Sequence, residues 1–133
     1  MVDDTAVIYT NNTVTAPKVV AIIFNGTTID AVGQSEPIYI GGSTHVMLSI
    51  VLGVETGIGS VKFHIKPCLS TGALVGAYDY ASSEMTAAGT EAVVVDEASA
   101  TPLGDYVEIS WSTAGTLSAA HCFTLSTVKI IAK

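Results

Sequence analysis

Short runs rich in valine, isoleucine and threonine recur along this chain, separated by glycine, proline and Asn/Asp clusters, and within several of them apolar and polar residues alternate. A period of two sends successive side chains to opposite faces of an extended strand, whereas a helix would need apolar positions three and four apart. The chain therefore reads as β-strands joined by turns. Ser60 to Pro67 alternates most cleanly, with Val61, Phe63 and Ile65 on one face and Lys62, His64 and Lys66 on the other. Gly104 to Ser112 repeats the pattern: Val107, Ile109 and Trp111 point inward, Tyr106, Glu108 and Ser110 outward, and Trp111 is the predicted core anchor. In a strand predicted from Ser43 to Val54, Val46, Leu48, Ile50 and Leu52 share one face. Pro67 has no N–H to donate, so its strand must end there or lie at a sheet edge.

The remaining elements follow from turn and breaker residues. Lys18 to Phe24 runs into Asn25-Gly26, a pair that tolerates positive φ at both turn positions, and Thr27 to Val32 is predicted to return as its hairpin partner. Glu36 to Ile40 is the next strand, with Gly41-Gly42 as a second tight turn. Ala73 to Tyr80 is a weaker strand, and Glu91 to Asp96, containing Val93-Val94-Val95, reads as a buried strand followed by a loop from Glu97 to Leu103. Ser82 to Gly89 offers a serine cap, a first-turn acid and a closing glycine, which predicts a helix of about two turns. In the last strand, His121 to Ala132, the apolar residues change parity between Phe123/Leu125 and Val128/Ile130, implying a bulge near Ser126 or burial of both faces. The sum is an all-β chain: one antiparallel β-sandwich over residues 1–133, jelly-roll-like, with at most one short helix. The absence of crossover helices excludes a parallel α/β fold.

Composition narrows the function. The 133 residues are 49% hydrophobic and 13% charged, and arginine is absent, so water-facing positions must be filled largely by serine, threonine, alanine and glycine. Such a surface is cheap to desolvate, which favours contact with other protein. Twelve acids against five lysines give a net charge of -7 and argue against nucleic acid or an anionic membrane as partner, since both require clustered cations. The longest wholly apolar run, Val19 to Phe24, falls far short of the roughly 20 residues of a membrane helix. The opening residues MVDDTAVIYT carry acids where a secretory signal has lysine or arginine, so Sec export is not expected. In that setting Cys68 and Cys122 are expected as free buried thiols rather than a bridge, and the triplets Asn11-Asn12-Thr13 and Asn25-Gly26-Thr27 as turn chemistry rather than glycosylation sites.

Candidate chemistry is sparse. His64, Cys68, His121 and Cys122 are the residue types of a soft-metal site, but His121 and Cys122 are strand neighbours facing opposite ways and Pro67 separates His64 from Cys68, so no metal or other cofactor is expected. His45 reads as a surface imidazole. No glycine-framed serine or electropositive cysteine marks a nucleophile, and no enzymatic activity is expected. Gly57-Ile58-Gly59-Ser60 lacks the lysine and following helix of a phosphate loop and reads as a hairpin loop. Asp96-Glu97 and Glu108 lack calcium-loop spacing and read as solvated carboxylates. Tyr78 and Tyr80 are a close aromatic pair suited either to packing or to a sugar ring; Tyr9, Tyr39 and Tyr106 are scattered.

The segment Trp111-Ser112-Thr113-Ala114-Gly115-Thr116-Leu117-Ser118-Ala119-Ala120 and the strand that follows it, with Ser70-Thr71-Gly72-Ala73-Leu74 and Ala87-Ala88-Gly89-Thr90 before it, resemble small virion structural proteins of tailed bacteriophages. The likeness is one of style over the carboxyl half, and the two cysteines and the lack of arginine depart from it. It implies a protein that decorates or cements a capsid, often as a trimer, located in the virion after assembly in the host cytoplasm. Its expected partners are the major capsid protein or another virion protein. No catalytic residues follow from it. The alternative is a tail, fibre or surface module binding host glycan. Met1 to Thr10 and His121 to Lys133 are the segments expected to exchange as strands with a neighbour.

Overall fold

The computed structural model describes residues 17–41, 43, 45–96 and 103–133. Among them are ten strands and no helix: β1 (Lys18–Ile29), β2 (Gly33–Gln34), β3 (Ile38–Tyr39), β4 (Val46–Leu52), β5 (Val54–Thr56), β6 (Lys62–Cys68), β7 (Tyr80–Ala81), β8 (Gly89–Val95), β9 (Tyr106–Ser112) and β10 (Cys122–Ala132). One sheet has the order β1-β10-β4-β8, with β5 continuing the line of β4 along β10. The other has the order β2-β9-β6-β7, with β3 continuing β2 along β9. All strand pairs are antiparallel, and the two sheets pack face to face as a β-sandwich.

The alternating patterns are realised. Leu48 and Ile50 of β4, Phe63 and Ile65 of β6, Val107 and Ile109 of β9 and Val128 and Ile130 of β10 are fully buried between the sheets. Each such side chain stabilises the fold by about 1.5–3 kcal/mol relative to exposure. The two largest wholly enclosed residues are Phe63 and Phe123, not Trp111. Trp111 is partly buried at one end of the sandwich, with its ring edge-to-face on Phe24 at 4.9 Å and its Nε1 donating to Ala31 O at 2.8 Å. An indole in the centre would leave its N–H without a partner; at the rim it finds a carbonyl.

Two predicted local structures give way to tertiary pairing. The hairpin predicted at Asn25-Gly26 is not formed: β1 runs straight through, and both Phe24 and Thr27 pair with β10. Gly26, at φ 66°, is the extra residue of a bulge, and its N–H donates to Thr127 Oγ1 at 3.1 Å. The helix predicted over Ser82 to Gly89 is absent as well. Ser82 N donates to Phe63 O, Met85 N to Val61 O, and Ser82 Oγ accepts from Phe63 N, so the segment's hydrogen bonds go to the edge of β6. Glu84, expected in a first helical turn, accepts instead from Ala114 N.

The Gly41 turn closes through Ser43 N to Ile40 O at 3.1 Å, with Gly42 outside the described residues, and it carries the chain from one sheet to the other. Gly57 to Ser60 likewise links β5 to β6 across the sandwich and is not a hairpin loop. β6 continues one residue past Pro67, whose carbonyl accepts from Val75 N. N–H and C=O of one strand residue point the same way, so the missing donor faces the loop side and leaves the ladder with β9 intact. The parity change in β10 is a bulge: the register shifts between Phe123 and Ser126, where Leu125 has φ 54°.

Candidate functional site

The outer face of the β1-β10-β4-β8 sheet is built from three rows of cross-strand partners. Val19, Ile131, Met47 and Val94 form the first, Ile22, Lys129, Ser49 and Ala92 the second, and Asn25, Thr127, Val51 and Thr90 the third. One of these twelve positions is charged, and none is acidic. Val19 is 47% exposed, Ile22 53% and Val94 57%. Single exposed aliphatics are ordinary; here they stand in one contiguous row across four strands. Periodicity did not reveal it, because Val19 to Phe24 reads as core throughout; only the register with β10 separates its outward residues from its inward ones.

The outer face of the other sheet is polar. His64 stands on β6 between Lys62 and Lys66, its side chain 13% exposed. Its Nδ1 lies 3.0 Å from both carboxylate oxygens of Asp79, and its Nε2 lies 2.8 Å from Ser112 Oγ at the end of β9. Carboxylate, imidazole and hydroxyl are thus wired in series. No spacing in the chain announces this, since Asp79 and Ser112 lie 15 and 48 residues from His64; the outward position of His64 was the only signal.

The loop after β6 brings Gly72 beside Pro37. Glu108, expected in solvent, is 7% exposed and raises the pKa of its neighbour Cys68, which burial raises more. Between that loop and the start of β9 lies an open hollow of about 720 Å³ lined by Cys68, Leu69, Tyr78, Asp105 and Tyr106. Tyr78 is exposed there, whereas Tyr80 packs against the core, so the sequence-adjacent pair does not act together. Tyr39 and Tyr106 stack edge-to-face at 5.4 Å.

His64 and Cys68 share one sheet while His121 and Cys122 begin the central strand of the other, so the four are not brought together. Cys68 and Cys122 are free and buried. His121 Nδ1 accepts from Ile58 N at 2.9 Å and holds the link between sheets. Glu97, Tyr9, the triplet at Asn11 and the segment Met1 to Thr10 lie outside the described residues. The segment His121 to Lys133, expected to exchange as a strand, holds β10, one of two interior strands of its sheet, which is paired on both sides and offers no free edge. No family model, curated protein or solved structure matches the chain.

Proposed function

We propose that this chain is a structural protein that decorates or cements a virus capsid, acting through protein–protein contact. The observation that carries this reading is the outward face of the β1-β10-β4-β8 sheet, with one charge in twelve positions on a molecule of net charge -7. Covering such a face stabilises an assembly by about 25 cal/mol per Å² of apolar surface removed from water, and a standard interface takes roughly 800 Å² from each partner. The occupant is a subunit of the shell, presenting an apolar surface with an acidic group to meet Lys129. Copies of the chain associate around the same contact as a homo-oligomer, a trimer being the form the resemblance implies. The nesting of strand pairs, β1 with β10, β2 and β3 with β9, β4 with β8, β6 with β7, supports the reading of the sandwich as a jelly roll.

Light scattering of the purified chain, and co-sedimentation and imaging with phage shells, test the proposal. Wild-type protein is expected to associate, and Met47→Lys with Val94→Lys to abolish association at a cost of about 1 kcal/mol in unfolding stability, since the two lysines face each other across the strands. A chain that stays monomeric and never binds a shell overturns it. The exposed ring of Tyr78 beside the hollow supports a second reading, glycan binding; array binding lost in Tyr78→Ala would favour that one.

A further inference from the structure

We propose that Ser112, His64 and Asp79 form an acyl-transfer site for small carboxylic esters, assisted by Lys62, on the face of the sandwich opposite the assembly face. This goes beyond the structural role: a molecule docked by one sheet displays the outer face of the other.

The atoms that meet are those such chemistry requires. A serine hydroxyl is a weak nucleophile until a base takes its proton, and an imidazole can do so through Nε2 only if Nδ1 carries the other proton and is held. Asp79 receives Nδ1–H at 3.0 Å, leaving Nε2 to accept from Ser112 Oγ at 2.8 Å. The three groups come from separate elements: β6, the loop before β7 and the end of β9. Ser112 is exposed and open to a substrate, while His64 is mostly covered and fixed at both nitrogens.

The charge that develops on the acyl oxygen also needs a partner. Two amides beyond Ser112 are committed, Ala114 N to Glu84 and Gly115 N to Ser60 and Thr113 Oγ1. Lys62, however, is the direct cross-strand partner of Ser112 and makes no ion pair among the described residues. Side chains in that relation start roughly 5 Å apart at Cβ, so the ammonium reaches the oxyanion. With an activated leaving group such as p-nitrophenolate, acylation outpaces hydrolysis of the acyl-serine.

In the first step Ser112 Oγ bonds to the acyl carbon as its proton passes to His64 Nε2; the ester C–O bond then breaks and His64 returns the proton to the leaving alkoxide. Water attacks the acyl-serine, gives a proton to His64, and the carboxylic acid departs as Ser112 regains its hydrogen. Asp79 is a positioning residue.

The full-length chain is mixed with p-nitrophenyl acetate, and separately with a fluorophosphonate probe, and the modified peptide is located by mass spectrometry. A burst of p-nitrophenolate with acetyl or phosphonyl on Ser112 is expected. Ser112→Ala should abolish both, His64→Ala should slow the burst about a hundredfold or more, and Asp79→Asn should slow it and displace its pH profile. Lys62→Met should slow acetylation, while Ser110→Ala, beside His64 on the same face, should not. Thermal melts verify that each variant is folded. Absence of Ser112 labelling in the wild type, or a burst unchanged in Ser112→Ala, overturns the proposal. Met47→Lys with Val94→Lys should acylate normally, so failure of the assembly reading is told apart from failure here.

Discussion

His64 and Cys68 sit four residues apart on one strand and one face, yet their surroundings give them opposite chemical characters. His64 has a hydrogen-bond partner at each nitrogen and an edge open to solvent. Cys68 is buried beside the loop that follows it, β-bridged to Leu74, and burial and then the Glu108 carboxylate push its thiol pKa up. A raised thiol pKa means that the folded state holds the proton more firmly than the unfolded chain. The associated stability is complete below the unfolded thiol's pKa and is lost as pH rises through the folded one. Iodoacetamide should therefore label native Cys68 slowly at neutral pH and faster only in the alkaline range, whereas unfolded protein labels readily; equal native and unfolded rates at pH 8 would contradict this. None of this was legible from Cys68 itself, because its neighbours Leu74 and Glu108 come from the loop after β6 and from β9.

At the scale of elements, period-two alternation located β4, β6 and β9 and, Trp111 apart, their buried residues, while the hairpin at Asn25-Gly26, the hairpin loop at Gly57 to Ser60, the strand over Ala73 to Tyr80 and the helix over Ser82 to Gly89 did not form. Asn25-Gly26 suits a hairpin, but it suits a bulge equally well, since both need positive φ at glycine. The β10 bulge was legible in part: the parity change near Ser126 was visible, its clamp was not. Ser126 is fully buried, and its hydroxyl accepts from Gly53 N at 3.1 Å, where the partner strand breaks between β4 and β5. A Cβ on Gly53 would lie 2.2 Å from Thr124 O, so the strands approach this closely only with glycine there. Gly53→Ala should force the bulge apart and destabilise the protein by about 3 kcal/mol or more, read from the urea midpoint, while Gly104→Ala, with open space around it, should cost less. Equal losses would show that the bulge is not the constraint.

For the whole molecule, the fold is closed by partners as distant as Gly26 and Thr127, 101 residues apart. Such contacts form late, because the entropy of closing long loops must be met before they help. Removing residues 121–133 takes an interior strand from one sheet, leaves β1 and β5 without partners and strips β4 of one of its two neighbours. That truncated chain should lack cooperative unfolding and dispersed amide resonances; a native-like spectrum would refute the central role of β10.

The sequence by itself determined that the chain is carried on strands and which residues of its alternating segments face inward, because alternation encodes a strand's two faces locally and hydrophobic transfer does the rest. It also determined a neutral, weakly charged surface. Only the tertiary structure decided which strands are neighbours and in what register. The period of two is the same for every strand and names no partner. The apolar rows of one outer face and the Asp79–His64–Ser112 chain on the other exist only once strands distant in sequence are aligned by backbone hydrogen bonds.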